Sequence, residues 1–204
     1  MTMDFVYSQG WYENVYHKGG KDPNKEPDPS QFHPERDLKC LANLGVKPEH
    51  KILVCGCGGG DDTWLLTEKL DCHNVWGLDF SRPAVMYFNE HFRDRGKVTG
   101  NGVHACCTMM PFDDNTFDML LAMDITEHLP MFHYMFFLMN CYRILKYGGR
   151  VAVLPGRSIR PEHISLIPPQ IIAEHMKRVG FHIASQNNDW IIGEKNEAGI
   201  YSKP

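Results

Sequence analysis

The stretch Ile52-Leu53-Val54-Cys55-Gly56-Cys57-Gly58-Gly59-Gly60-Asp61-Asp62 decides how this chain folds. Its four leading apolar residues read as a short buried strand. Gly56, Gly58 and Gly60 then turn the chain sharply, and Thr63 to Leu70 follows with helical spacing. A strand, a glycine turn and a helix N-terminus leave a pocket in which bare backbone lets a ligand approach closely.

Charge sets what such a pocket accepts. The dinucleotide pattern G-x-G-x-x-G, counted from Gly56, needs a glycine at position 61; this chain has Asp61, then Asp62. Two carboxylates repel a pyrophosphate. As helix caps they suit the positive end of the helix dipole. An adenosine compound without phosphate and with positive charge fits better, and S-adenosylmethionine, with its sulfonium and ammonium, is one. Asn74-Val75-Trp76-Gly77-Leu78-Asp79-Phe80-Ser81 reads as the next strand, ending in an acid. Asp79 lies 19 positions after Gly60, about where an acid binds ribose hydroxyls. The competing reading makes it only the cap of a helix starting near Pro83.

Downstream, strand and helix patterns alternate: helices near 62–70 and 82–95, strands at Val103 to Cys107 and Phe117 to Met123, and a Met- and Phe-rich helix from Pro130 to Leu145. The turn Tyr147-Gly148-Gly149 leads into a strand from Arg150 to Pro155, and a helix from Pro168 to Val179 is capped by Gly180. Phe181 to Ser185 and the run Asp189 to Tyr201, around the turn Asn196 to Gly199, read as closing antiparallel strands. Repeated strand–helix units predict an α/β fold: a doubly wound, Rossmann-like sheet of seven strands, mostly parallel, with helices on both faces. Its ligand lies at the C-terminal strand ends. Upstream, Tyr7, Trp11, Tyr12, Val15 and Tyr16 fall at helical spacing, a Gly/Pro-rich charged loop follows, and Pro34 to Leu44 is helical again, ended by Gly45. The expectation is one domain over 1–204, with 1–45 a helical flap over the pocket of a core at 46–204.

The 204 residues are 43% hydrophobic and 23% charged, enough for one domain with a real core. The net charge of −4 and the lack of a basic block give no electrostatic footprint for nucleic acid. No apolar run approaches the ~18 residues of a membrane span, and no signal peptide opens the chain. Seven cysteines, an odd number, several within predicted strands, suggest reduced thiols in a cytoplasmic protein. Neither Cys55-x-Cys57 nor the pair Cys106-Cys107 has a zinc spacing.

Four motifs together resemble the class I S-adenosylmethionine-dependent methyltransferases, in the small-molecule branch that includes ubiquinone-biosynthesis-type enzymes. They are Ile52 to Gly60, Gly77 to Ser81, Met110-Pro111-Phe112-Asp113-Asp114-Asn115-Thr116-Phe117-Asp118, and Tyr142-Arg143-Ile144-Leu145-Lys146-Tyr147-Gly148-Gly149. The resemblance spans roughly residues 45–185 and extends to Val179-Gly180-Phe181 and to the aromatic opening Trp11 to Tyr16. It implies that Gly56, Cys57, Gly58, Asp79, Phe80 and Met123 meet the cofactor. Two acids usual in the family are replaced, by Val54 in the first strand and by Cys106 after the third. Asp61 or Asp62 is then expected to take over part of the first role, and Cys107, Thr108 and Met109 to hold the adenine.

The segment Asp124-Ile125-Thr126-Glu127-His128-Leu129 sits where family members meet their acceptor. The resemblance implies Asp124 and His128 as base or substrate contact, and Glu127, Arg157, Trp11 and Tyr16 as the acceptor's surroundings. Similar acids hold a metal in ubiquinone-type relatives, and Asp124 with Glu127 and His128 is compatible with that, but no metal is assigned. His33, His133, His163 and His175 read as surface or structural. The resulting expectation is methyl transfer to a small-molecule acceptor, with no nucleic-acid or membrane partner and a monomer or a dimer. The alternatives are a cofactor-binding regulatory protein without turnover and a protein side-chain methyltransferase. An NAD-dependent oxidoreductase is disfavoured by Asp61.

Overall fold

The computed structural model describes residues 34–159 and 163–196. In chain order these form α1 (Pro34–Leu44), β1 (Ile52–Cys55), α2 (Asp61–Leu70), β2 (Val75–Asp79), α3 (Arg82–Phe88), β3 (Gly102–His104), β4 (Phe117–Met123), α4 (Met131–Ile144), β5 (Leu145–Leu154), α5 (Pro169–Val179), β6 (Phe181–Gln186) and β7 (Ile191–Lys195). The seven strands make one sheet in the order β3-β2-β1-β4-β5-β7-β6. β1 to β5 run parallel; β7 lies antiparallel between β5 and β6.

The period of two in a strand explains the layers. Ile52 and Val54 of β1 face one way, into a core with Leu41 of α1, Leu65 and Leu66 of α2 and Phe88 of α3. Leu53 and Cys55 face the other way, toward Tyr134, Phe137 and Cys141 of α4 and Ile172 and Met176 of α5. Both faces are covered, so β1 is apolar throughout, as buried parallel strands are. Strand order reverses where β1 lies between β2 and β4, and in an open α/β sheet that is where the C-terminal ends form a crevice.

Several elements differ from the sequence expectations. The third strand is shorter, Gly102 to His104, and the chain bends away before Cys106. α3 ends at Phe88 and continues as a wider π-helical turn over Asn89–Arg93, where the Asn89 Oδ1 accepts the Gly102 amide at 2.8 Å. β5 begins at Leu145 rather than Arg150 and carries a turn at Gly148, with φ 76°. The β6–β7 hairpin turns at Asn187, whose Oδ1 accepts the amides of Asp189 (2.7 Å) and Trp190 (2.9 Å). The expected turn at Asn196 to Gly199 and the flap with Trp11 and Tyr16 lie in or run into segments outside the described residues. Asp61 and Asp62 are not caps. The N-cap of α2 is Gly60, with no side-chain cap bond, and the two acids occupy the first helical turn, where the dipole still favours them.

Candidate active site

Four strand ends meet at one edge of the sheet. β1 leaves at Cys55, β2 at Asp79, β4 at Met123 and β5 at Leu154, with Cys55 level with Leu78 and Met123 level with Leu154. The loops that follow them carry nearly every residue singled out from the sequence.

The turn after β1 is built from backbone. Leu78 O accepts the amides of Gly56 (2.7 Å) and Cys57 (3.0 Å), and Gly60 N donates to Cys57 O (2.8 Å). Gly56 has φ 69°, and a Cβ there would run into the Ile125 side chain. Gly60 has φ 83°, and a Cβ there would meet the Phe92 ring. The turn therefore needs glycine for conformation and for space. Asp79 is nearly buried and holds the turn from below: its Oδ2 accepts Gly58 N at 3.0 Å and its Oδ1 accepts Ser81 N at 2.8 Å. Burial raises its carboxyl above the usual range, against the pull of these two amides. Each oxygen keeps accepting capacity for a further hydroxyl. The Cys57 thiol packs into the core beside Gly77, so only its backbone faces the turn. Phe80 is exposed, and its carbonyl meets His104 Nε2 at 2.9 Å.

The residues after β3 line the neighbouring side. Cys106 Sγ lies 3.0 Å from Thr108 Oγ1, Cys107 is half-buried, and Met109 is exposed. Two of the sequence motifs meet here. The Arg143 guanidinium of α4 donates to the carbonyls of Phe112 (2.6 Å) and Met110 (2.8 Å) and to Asp114 Oδ1 (2.9 Å). All seven cysteines are free thiols.

On the other side of the turn, charge accumulates from elements far apart in sequence. Arg36 of α1 donates from Nε to Asp37 Oδ1 at 2.7 Å and reaches within 3.8 Å of Asp124. Asp124 follows β4 with φ 51°, its amide donating to Leu154 O at 2.8 Å. Burial, helped by the nearby Asp37, Asp61 and Asp124, pushes the Asp62 carboxyl well up, with Arg36 opposing. Arg36 and Asp37 were not identified from the sequence; nothing in the periodicity of α1 marks them as site residues.

After β4 the chain makes a 3-10 turn, Thr126–His128, with Glu127 fully buried beneath it. Neither Glu127 oxygen has a hydrogen-bond partner. Burial raises this carboxyl, and the nearby main-chain amides of Glu127 and Gly156, which fall short of hydrogen-bond geometry, pull it back only in part. Gly156, just past β5, leaves the space that Glu127 occupies. The segment beyond it is tied on by Ile164 N and Ser165 N, which donate to Glu127 O at 2.8 and 3.0 Å. This brings His163 against His128, ring centroids 4.9 Å apart and nearly perpendicular. His163, read from the sequence as surface or structural, is thus placed beside His128. Arg157 instead pairs with Asp189 at 3.3 Å.

Comparison with known proteins agrees with this geometry. Residues 52–149 match the family described as "Methyltransferase domain". The chain is 34% identical over 115 residues to the demethylmenaquinone methyltransferase of Anoxybacillus flavithermus, a match covering 56% of this chain and 48% of that protein. It is also 34% identical over 145 residues to the phosphoethanolamine N-methyltransferase of Triticum aestivum, covering 69% of this chain and 26% of that protein. The chain thus spans less than half the length of these curated relatives. Among solved structures, a SAM-dependent methyltransferase of Archaeoglobus fulgidus superposes with a TM-score of 0.60 at 17% identity, covering 74% of this chain and 71% of that one.

Proposed function

We propose that this chain, whose residues 52–149 match a methyltransferase domain, is a class I S-adenosylmethionine-dependent methyltransferase that transfers the cofactor's methyl group to a small-molecule acceptor. The observation that carries this reading is the glycine turn fastened to Asp79, with the cluster of Asp37, Asp61, Asp62 and Asp124 beside it. The backbone of Gly56, Cys57 and Gly58 cradles the cofactor, and Asp79 accepts the ribose hydroxyls with its spare lone pairs. Phe80, Cys107, Thr108 and Met109 flank the adenine, and Met123 closes the floor.

The first strand lacks an acid because Val54 is fully buried against the α1 face. Asp62 and Asp37 stand in for it. The Asp62 carboxyl, which burial and the neighbouring acids push well up, gains most from a cation, and the methionine end of S-adenosylmethionine carries two. Methyl transfer is an in-line displacement at a carbon that the sulfonium already activates, so alignment and exclusion of water do most of the work. The acceptor lies over the 3-10 turn, between Asp124, Glu127 and His128 and the segment that begins at Arg157. For a hydroxyl acceptor, His128 or Asp124 takes the proton. The names of the relatives span a quinone and an amine, so the acceptor atom is set by this half of the site and not by the family.

Calorimetry with S-adenosylmethionine and S-adenosylhomocysteine, followed by mass spectrometry for S-adenosylhomocysteine formed over quinol, phenol and amine acceptors, tests the reading. Binding with turnover of one acceptor class is expected; no heat at millimolar ligand ends it. A second reading, a binding protein without turnover, is favoured by the missing acids at Val54 and Cys106. Tight binding with no product across the whole acceptor set would select it.

A further inference from the structure

Glu127 is a fully buried carboxylate whose two oxygens have no hydrogen-bond partner. Leaving such a group alone is costly, and proteins normally pair it or place it on a cation. Two imidazoles stand beside it. One ligand atom from each of Glu127, His128 and His163 lies within 4.8 Å of the other two, and His128 Nε2 is 3.9 Å from Glu127 Oε1. His163 is already oriented. Its Nδ1 sits 2.6 Å from the carbonyl of Ser158, which only accepts, so Nδ1 carries the proton and Nε2 keeps its lone pair. That arrangement, a carbonyl fixing the far nitrogen of a ligating imidazole, is the usual outer support of a metal ligand.

We propose that Glu127, His128 and His163 bind one divalent transition-metal ion, zinc(II) by preference. Two imidazoles and a carboxylate suit zinc(II) better than magnesium, which prefers oxygen ligands alone. Around such an ion the donor atoms stand roughly 3.3 Å apart, so the three side chains close inward by small rotations. Asp124 is not part of the set; its carboxylate is turned to Arg36. The ion joins the turn after β4 to the segment after β5, which the Ile164 and Ser165 amides already fasten to Glu127 O. Three protein ligands leave a coordination position open, at the place where the acceptor is proposed to lie. The site itself stands whether or not any acceptor is methylated.

The test uses the full chain, stripped with a chelator and titrated with zinc(II) by calorimetry and by dialysis with elemental analysis. One equivalent is expected, with equimolar magnesium failing to compete. His163→Gln and His163→Ala should each weaken the affinity at least about tenfold while the metal-free melting temperature stays unchanged. Because seven free thiols offer an alternative, cobalt(II) serves as the spectroscopic probe, and a visible ligand-field band without a thiolate charge-transfer band is expected. No stoichiometric zinc, equal competition by magnesium, unaltered affinity in both His163 variants, or a thiolate band overturns the proposal.

Discussion

The two halves of the strand-end crevice are built on opposite principles. On the β1–β2 side the contacts are main-chain amides and one carboxylate whose oxygens both accept bonds from nearby amides. On the β4–β5 side the groups are side chains brought from separate segments: Arg36 and Asp37 from α1, Glu127 and His128 after β4, His163 after β5. Two side chains show the strain of such gathering: burial, helped by the acids around it, raises the Asp62 carboxyl, and neither Glu127 oxygen has a hydrogen-bond partner. A preorganised backbone site suits a fixed cofactor common to many reactions. A side-chain site with unspent electrostatic energy suits a variable partner that supplies the missing charge.

The comparison breaks first at Gly56. Gly56→Val puts a branched side chain at φ 69° and drives it into Ile125, which links the two halves. We expect a loss of about 2–4 kcal/mol in denaturant unfolding and no measurable S-adenosylmethionine binding. If cofactor affinity survives, the turn is not the cofactor's cradle.

Asp79 gives the next effect. Asp79→Ala removes the acceptor that steadies Gly58 and, on the proposed reading, the ribose contact; calorimetry should show cofactor affinity falling by about 2–3 kcal/mol. Asp79→Asn keeps one oxygen for the turn and should lose less. Equal affinity in all three proteins would confine Asp79 to a structural role.

Asp62 sharpens the contrast with the smallest effect. Its folded carboxyl sits above its unfolded value, so the native state holds the proton more tightly. Native stability therefore falls as pH rises from the ordinary carboxylate range through the raised value. The charged groups facing it are Asp37, Asp61, Asp124 and Arg36. Asp62→Asn should flatten the melting temperature against pH and stabilise the ligand-free protein near neutrality by roughly 2–4 °C. The same change should weaken S-adenosylmethionine binding about fivefold, with the wild-type affinity rising with pH where the mutant's does not. A variant that loses stability at neutral pH would show that the cluster is not strained.

The backbone half could be read directly from residues because its determinants are local. The glycine spacing, the apolar run before it and the acid at the end of the next strand lie within 28 consecutive residues, Ile52 to Asp79. Alternation of apolar runs and helical spacing likewise gave the doubly wound sheet and its order of elements. Errors fell where local signals compete. The two acids after Gly60 read as caps, but Gly60 itself takes the N-cap position and puts them in the first turn, and the stretch from Val103 to Cys107 keeps its apolar character past the point where pairing with β2 stops at His104.

What the sequence determined by itself is the layered α/β scaffold and the glycine turn, since periodicity and glycine placement act over a few residues and need no partner. What only the tertiary structure decided is the company each charged side chain keeps: Asp37 beside Asp62, Arg36 reaching Asp124, His163 against His128 over a buried Glu127. Those meetings depend on how helices and loops dozens of residues apart pack onto the sheet, and linear spacing carries no record of that distance.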